Sequence, residues 1–175
     1  MAVQVHQVEA NMSSLTAMLA EGELDIAFVR LPCESSKAFE LSILDREPMV
    51  VALHRDHPLA ACGDLALEKL RDTSVVLFPQ EVAPGLYDQV YSYCERAGID
   101  VQHALQSSQL SSSLSMVSAG GGFALVPKSM AAISPPNITY HALSSPEIYT
   151  DIALCWRRFE RSHTVKRFLS TMNAQ

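Results

Sequence analysis

Charge is scarce in this sequence: 18% of its 175 residues are Asp, Glu, Lys or Arg, and 13 basic side chains face 19 acidic ones, for a net charge of −6. Binding to nucleic acid rests on phosphate neutralisation by clustered Lys and Arg. The one cluster, Arg157, Arg158, Arg161, Lys166 and Arg167, stands at the end of the chain, where the solvated face of a terminal helix accounts for it. The chain is therefore not expected to bind DNA by itself. Long apolar runs are lacking too: Pro48-Met49-Val50-Val51-Ala52-Leu53 is far too short to span a bilayer. No basic start or apolar h-region follows Met1, so neither a secretion signal nor a membrane location is expected, and the expected compartment is the cytoplasm. The four cysteines, Cys33, Cys62, Cys94 and Cys155, lie far apart with no CxxC pair and no Cys/His ligand spacing. Free, mostly buried thiols in a reducing compartment are the expectation.

Catalytic signatures are equally absent. There is no GxSxG elbow, GxGxxG, Walker loop or HExxH, and no Lys has a Ser three residues before it. Gly120-Gly121-Gly122 precedes a strand instead of opening a helix, so it reads as a helix stop and not as a phosphate cradle. His54-Arg55-Asp56-His57 has no third metal ligand nearby, and a turn whose polar side chains cap backbone groups is the simpler reading. No metal or cofactor is expected, and no enzymatic role.

What is present is a core: 48% of residues are apolar, enough for one domain or two small lobes. Val3 to Val8 alternates apolar and polar residues and predicts a strand. Asn11 or Ser13 caps a helix running to about Glu21, with Gly22 as its left-handed stop. Leu24 to Val29 is nearly all apolar, as expected of a parallel strand covered on both faces, so the opening predicts a right-handed β-α-β unit. Strands are expected at Phe39–Leu44 (on a sheet edge), Met49–His54, Val75–Phe78, Val101–Leu105, Phe123–Val126, Ile138–Ala142 and Ile148–Trp156. Helices are expected after Asp64, from Leu86 to Ala97, from Ser107 or Ser108 to Gly120, and after Ser162 or Thr164. Alternating strands and helices indicate α/β architecture. Residues 51–147 form one lobe, and residues 1–50 with 148–175 the other. Two crossings between lobes make a hinge, and a hinge makes a cleft. Helix starts and strand ends converging there could hold an anion: Arg30 after a strand, Pro84-Gly85-Leu86 opening a helix, and Ser107-Ser108-Gln109 opening another.

Three segments carry a resemblance. Leu19-Ala20-Glu21-Gly22-Glu23-Leu24-Asp25-Ile26-Ala27-Phe28-Val29 resembles the "GELD" signature of LysR-type effector domains. Glu47 to Leu53, followed by His57-Pro58-Leu59, is similar to that family's strand and "HPL" turn. Met116 to Pro127 resembles its glycine-containing segment ending in Leu-Val-Pro. Order and spacing agree, and the resemblance covers essentially the whole chain. From Val51 to Pro127 it is nearest to regulators of aromatic-compound catabolism that respond to muconate-type dicarboxylates. The resemblance implies a two-lobed, periplasmic-binding-protein-like (type 2) fold with Rossmann-like lobes. It further implies a homodimer or tetramer, and a small carboxylate or aromatic effector held between lobes without metal or cofactor. Carried over by position, the contacts are Arg30, Leu31, Pro84, Gly85, Leu86, Ser108 and Gln109.

Two departures follow from the same comparison. The family's N-terminal helix-turn-helix, through which DNA is bound, has no counterpart here, so the chain reads as a fragment. The family's first strand and helix should precede Val3; without them the first lobe is expected to be truncated or rearranged, because losing a central strand leaves two unpaired edges. Other functions on this scaffold are a solute-binding protein for transport, or an enzyme of the prephenate-dehydratase or deaminase kind, which would need a general acid or base in the cleft.

Overall fold

The structure, a computed structural model, describes residues 3–33, 37–133 and 135–172. Four helices, α1 (Met12–Glu21), α2 (Pro84–Arg96), α3 (Leu110–Ser118) and α4 (His163–Met172), surround eight strands. The strands are β1 (Ile26–Leu31), β2 (Phe39–His54), β3 (Leu65–Ala66), β4 (Val76–Leu77), β5 (Leu105–Gln106), β6 (Phe123–Pro127), β7 (Ile138–Ser145) and β8 (Tyr149–Arg157). The main sheet runs β1-β8-β2-β7-β3, with β6 also on β2, and β4 pairs with β5.

One strand organises everything. The segments expected as separate strands at Phe39–Leu44 and Met49–His54 form the single 16-residue β2. Its first part, Phe39 to Pro48, pairs with β8 and forms the edge of a three-stranded antiparallel sheet. Its second part, from Met49, pairs with β6 on one side and β7 on the other. The second part is buried on both faces. Met49, Val51 and Leu53 enter a core shared with Leu86 and Val90 of α2. Val50 and Ala52 enter another shared with Leu114 and Val117 of α3. That is why the run has no polar alternation.

The first lobe differs from the sequence expectation. Residues 3–11 form no strand, and Val3, Val5 and Val8 are exposed. The opening is therefore not β-α-β. Strand β1 is antiparallel to β8, and β8 is its one partner among the described residues. Helix α1 packs Leu19 on Ala27, Val29, Ala153 and Cys155. Helix α4 covers the opposite face through Val165 and Leu169 against Leu154. Cover on that second face is partial: Phe28 remains 59% exposed. Asn11 caps α1, its side chain accepting from the Ser14 amide at 2.9 Å, and Gly22 ends the helix at φ 82°. Arg157 donates to the carbonyls of Leu19 and Leu24 and pairs with Glu160 at 2.7 Å, so this member of the basic cluster fastens α1 instead of facing solvent.

Three smaller expectations also shift. Leu65-Ala66 is a short strand followed by a 3-10 turn at Leu67–Leu70, without a cap from Asp64. Residues Val101 to Ala104 are irregular, and the strand there is Leu105–Gln106. Helix α3 is capped by Gln109, not by Ser107 or Ser108.

Candidate functional site

The two crossings set the geometry. Chain direction carries β2 out of the first lobe at Pro48-Met49, and β8 returns at Ile148-Tyr149, where the Met49 amide donates to the Ile148 carbonyl at 2.7 Å. Glu47 stands at this waist, 6% exposed. Its carboxylate accepts from Arg30 of β1 at 2.6 Å, and from the Ser129 amide and hydroxyl at 2.9 and 3.2 Å. Ser129 lies in the 3-10 turn Lys128–Ile133 that follows β6. Glu47 thus ties the two halves together. Burial pushes its carboxyl pKa up, but the Ser129 amide, the Ser129 hydroxyl and the Arg30 guanidinium outweigh it and hold it below the ordinary value. Arg30, expected as an anion contact, is already engaged.

At the end of β1, Leu31 and Pro32 meet the start of α2. Leu31 offers its carbonyl to the Thr150 hydroxyl at 2.9 Å. Pro32 lies so close to Gly85 that a Cβ on the glycine would sit 1.7 Å from the proline carbonyl oxygen. A residue larger than glycine cannot fit without displacing one backbone. Pro84 is at the first helical turn, and the N-cap Ala83 has no side chain to satisfy the amides behind it. Leu86 points inward, 1% exposed in the core, so it supports the helix and does not line an open surface. Further along α2, Gln89 Nε2 donates to the Tyr149 carbonyl at 2.9 Å, while Gln89 Oε1 is buried without a partner among the described residues.

The third expected group shares no hydrogen bond with the other two among the described residues. Ser108 and Gln109 are exposed at the start of α3. The Gln109 side chain accepts from the Ser112 amide, and the Ser112 hydroxyl accepts from the Gln109 amide at 2.8 Å, a reciprocal cap. The Ser108 hydroxyl lies 3.0 Å from that of Ser112. Among the described residues no hydrogen bond links Ser108 or Gln109 to Arg30, Leu31 or the start of α2. The structure therefore brings Pro32, next to Leu31, onto Gly85, directs Arg30 to Glu47, and shows no hydrogen bond from Ser108-Gln109 to either among the described residues. Glu47, Ser129 and Gln89 were not singled out in the sequence. An acid opening an otherwise apolar buried run, Glu47-Pro48-Met49-Val50-Val51, is the signal that could have found Glu47, since a buried carboxylate requires donors.

Two concave regions lie elsewhere. One, about 510 Å³, is lined by His54, Asp56, His57, Thr73, Leu105 and Gly121 among others. The His54–His57 turn holds itself together as expected: His54 Nδ1 accepts from the Asp56 amide, and His57 Nδ1 from the Leu59 amide. The second, about 360 Å³, lies at the crossings beside Met49 and Ile148. Among the described residues no group of three or more His, Cys, Asp or Glu could hold a metal ion. All four cysteines are free. Burial pushes the Cys94 thiol up to about 12, and burial with the neighbouring Cys33 pushes Cys155 up to about 11, so both stay protonated and unreactive at neutral pH.

Comparison with known proteins agrees with this architecture. The family described as LysR substrate binding domain matches residues 1–175. The transcriptional regulator BudR of Raoultella terrigena is 62% identical over 168 residues, 96% of this chain and 58% of that protein. A solved effector-binding domain of a BenM variant superposes with a TM-score of 0.81 at 29% identity, over 94% of this chain and 77% of the other. The BenM effector-binding domain with its effector benzoate gives a TM-score of 0.74 at 26% identity, over 96% and 79%; BenM of Acinetobacter baylyi is also a sequence relative, 28% identical over 172 residues. The chain spans less than three fifths of the length of these curated relatives.

Proposed function

We propose, because this chain belongs to the LysR substrate-binding domain family, that a small carboxylate or aromatic metabolite binds between its two lobes and shifts their arrangement. The domain is the effector-sensing part of a transcriptional regulator, and its relatives are named as regulators, not as enzymes or transport proteins. The lobes are residues 51–147 against 1–50 with 148–175, their outermost ends lying partly outside the described residues. The observation that carries the proposal is the meeting of Pro32 with Gly85. It sets the end of β1 against the uncapped start of α2, where free amides favour a carboxylate.

Arg30, Leu31, Pro84 and Gly85 form the proposed contact surface, with Leu86 as the packed foot of the helix. Ser108 and Gln109, on the same lobe as α2, reach the guest from the start of α3. Arg30 serves by exchange: an anionic guest competes with Glu47 for the guanidinium, loosening the tie to Ser129. A guest with different affinity for the two arrangements shifts their populations, and that shift is what a regulator transmits. In the whole protein this output reaches DNA through an N-terminal helix-turn-helix outside this chain, within a cytoplasmic homo-oligomer. Among the described residues no helix is long and apolar enough to cross a membrane.

Calorimetric titration with benzoate, with small mono- and dicarboxylates and with neutral isosteres tests the reading. Binding of at least one carboxylate is expected, lost in Gly85→Val. Binding of neutral compounds alone refutes the anion assignment.

A further inference from the structure

We propose that the 360 Å³ cavity at the crossings is a second binding site, for a small zwitterion with an apolar side chain, that is, an aliphatic α-amino acid. Its volume is near the lower end of the roughly 300–1,000 Å³ of small-ligand pockets. It is separate from the surface between β1 and α2: none of Arg30, Leu31, Pro84, Gly85, Leu86, Ser108 or Gln109 lines it.

The lining chemistry selects the guest. Pro48, Ala131, Ala142 and the Tyr149 ring supply apolar wall over the buried Met49 and Ile148, and the polar groups are few. Lys128 lines the cavity with no hydrogen bond or ion pair among the described residues. Glu147 lines it too, with one carboxylate oxygen accepting from the Tyr149 hydroxyl at 2.9 Å. One ammonium and one carboxylate that do not pair with each other make the lining neutral overall but polarised. A simple carboxylate gains at Lys128 and loses at Glu147; a simple amine does the reverse. A zwitterion gains at both, with its carboxylate toward Lys128 and its ammonium toward Glu147. The side chain then covers apolar wall that water solvates poorly.

Position gives the site a consequence. Its walls come from both crossing segments, and Lys128 adjoins Ser129, whose amide holds Glu47 and through it Arg30. A guest on Lys128 therefore acts on the tie between the lobes and changes the affinity of the other site, an effect that must be reciprocal.

L-leucine is the probe, titrated into the intact chain and followed by methyl NMR, with isocaproate and isopentylamine as analogues lacking one charge. Leucine is expected to shift the methyls of Met49, Val50, Leu143 and Ile148, and to bind more tightly than either analogue. Lys128→Gln and Glu147→Gln should each weaken it about fivefold, the upper range for a solvent-accessible ion pair. The wild-type shift map decides the matter even if a variant folds poorly. No shift at millimolar leucine, shifts confined to Leu31 and Leu86, or isocaproate binding as tightly as leucine overturns the proposal.

Discussion

The two halves of β2 share one strand and differ in how they are held. From Met49 onward, two clusters of nineteen and seven buried residues enclose the strand. Before Pro48, the sheet is covered by clusters of five and three, and Phe28 and Ile43 are each 59% exposed. Apolar burial is the main favourable term in folding, so the second lobe is expected to be the more stable and the first the more adjustable. A sensor needs that asymmetry, because regions that move are drawn from the less stable part of a fold.

The largest effect expected from this contrast is in the second core. Phe123, fully buried, should cost about 3–5 kcal/mol on Phe123→Ala, whereas Phe28→Ala stays within about 0.5 kcal/mol. Urea melts measure both, and equal costs would break the comparison. Next comes Gly85→Ala, whose methyl must displace the Pro32 backbone. A loss of about 1–3 kcal/mol is expected, together with weaker carboxylate binding in calorimetry.

The tie at Glu47 is of similar size and depends on pH. Its pKa is lowered in the folded state, so the unfolded chain binds the proton more readily. The stabilisation is complete above the ordinary glutamate pKa and is lost as pH falls through the lowered folded value. Glu47→Gln should lower stability at neutral pH by about 1–3 kcal/mol and flatten that acid limb, as read from melts across pH. Smallest is Gln109→Ala, which removes the reciprocal cap of α3 for about 1 kcal/mol. If Gln109 also contacts effector, affinity falls by more than this stability loss explains.

Much of this was legible in the sequence, and the failures have physical reasons. Helix α1 with its Asn11 cap and Gly22 stop, helix α2 and the buried β6 follow directly from periodicity and punctuation. Asp45-Arg46-Glu47-Pro48 looked like a break in β2. Pro48 is tolerated because the pairing passes there from β8 to β6 and β7, and the polar residues before it have partners in Arg30, Ser129 and Asp151. Alternation at Val3–Val8 describes a segment able to pair, but a strand exists only where another strand takes its hydrogen bonds. The apolar run at β1 suggested a parallel strand. Antiparallel pairing with β8 between two helices produces the same composition. At the site, Arg30 and the start of α2 were readable as strand end and helix start. Glu47, seventeen residues from Arg30, and Gln89, facing Tyr149, become visible only when the chain is folded.

Hydrogen–deuterium exchange with and without a bound carboxylate tests the central claim most directly. Joint protection of residues 28–33, 84–89 and 107–112 is the result expected of a guest held between the lobes. Binding that leaves all three segments unprotected would contradict it.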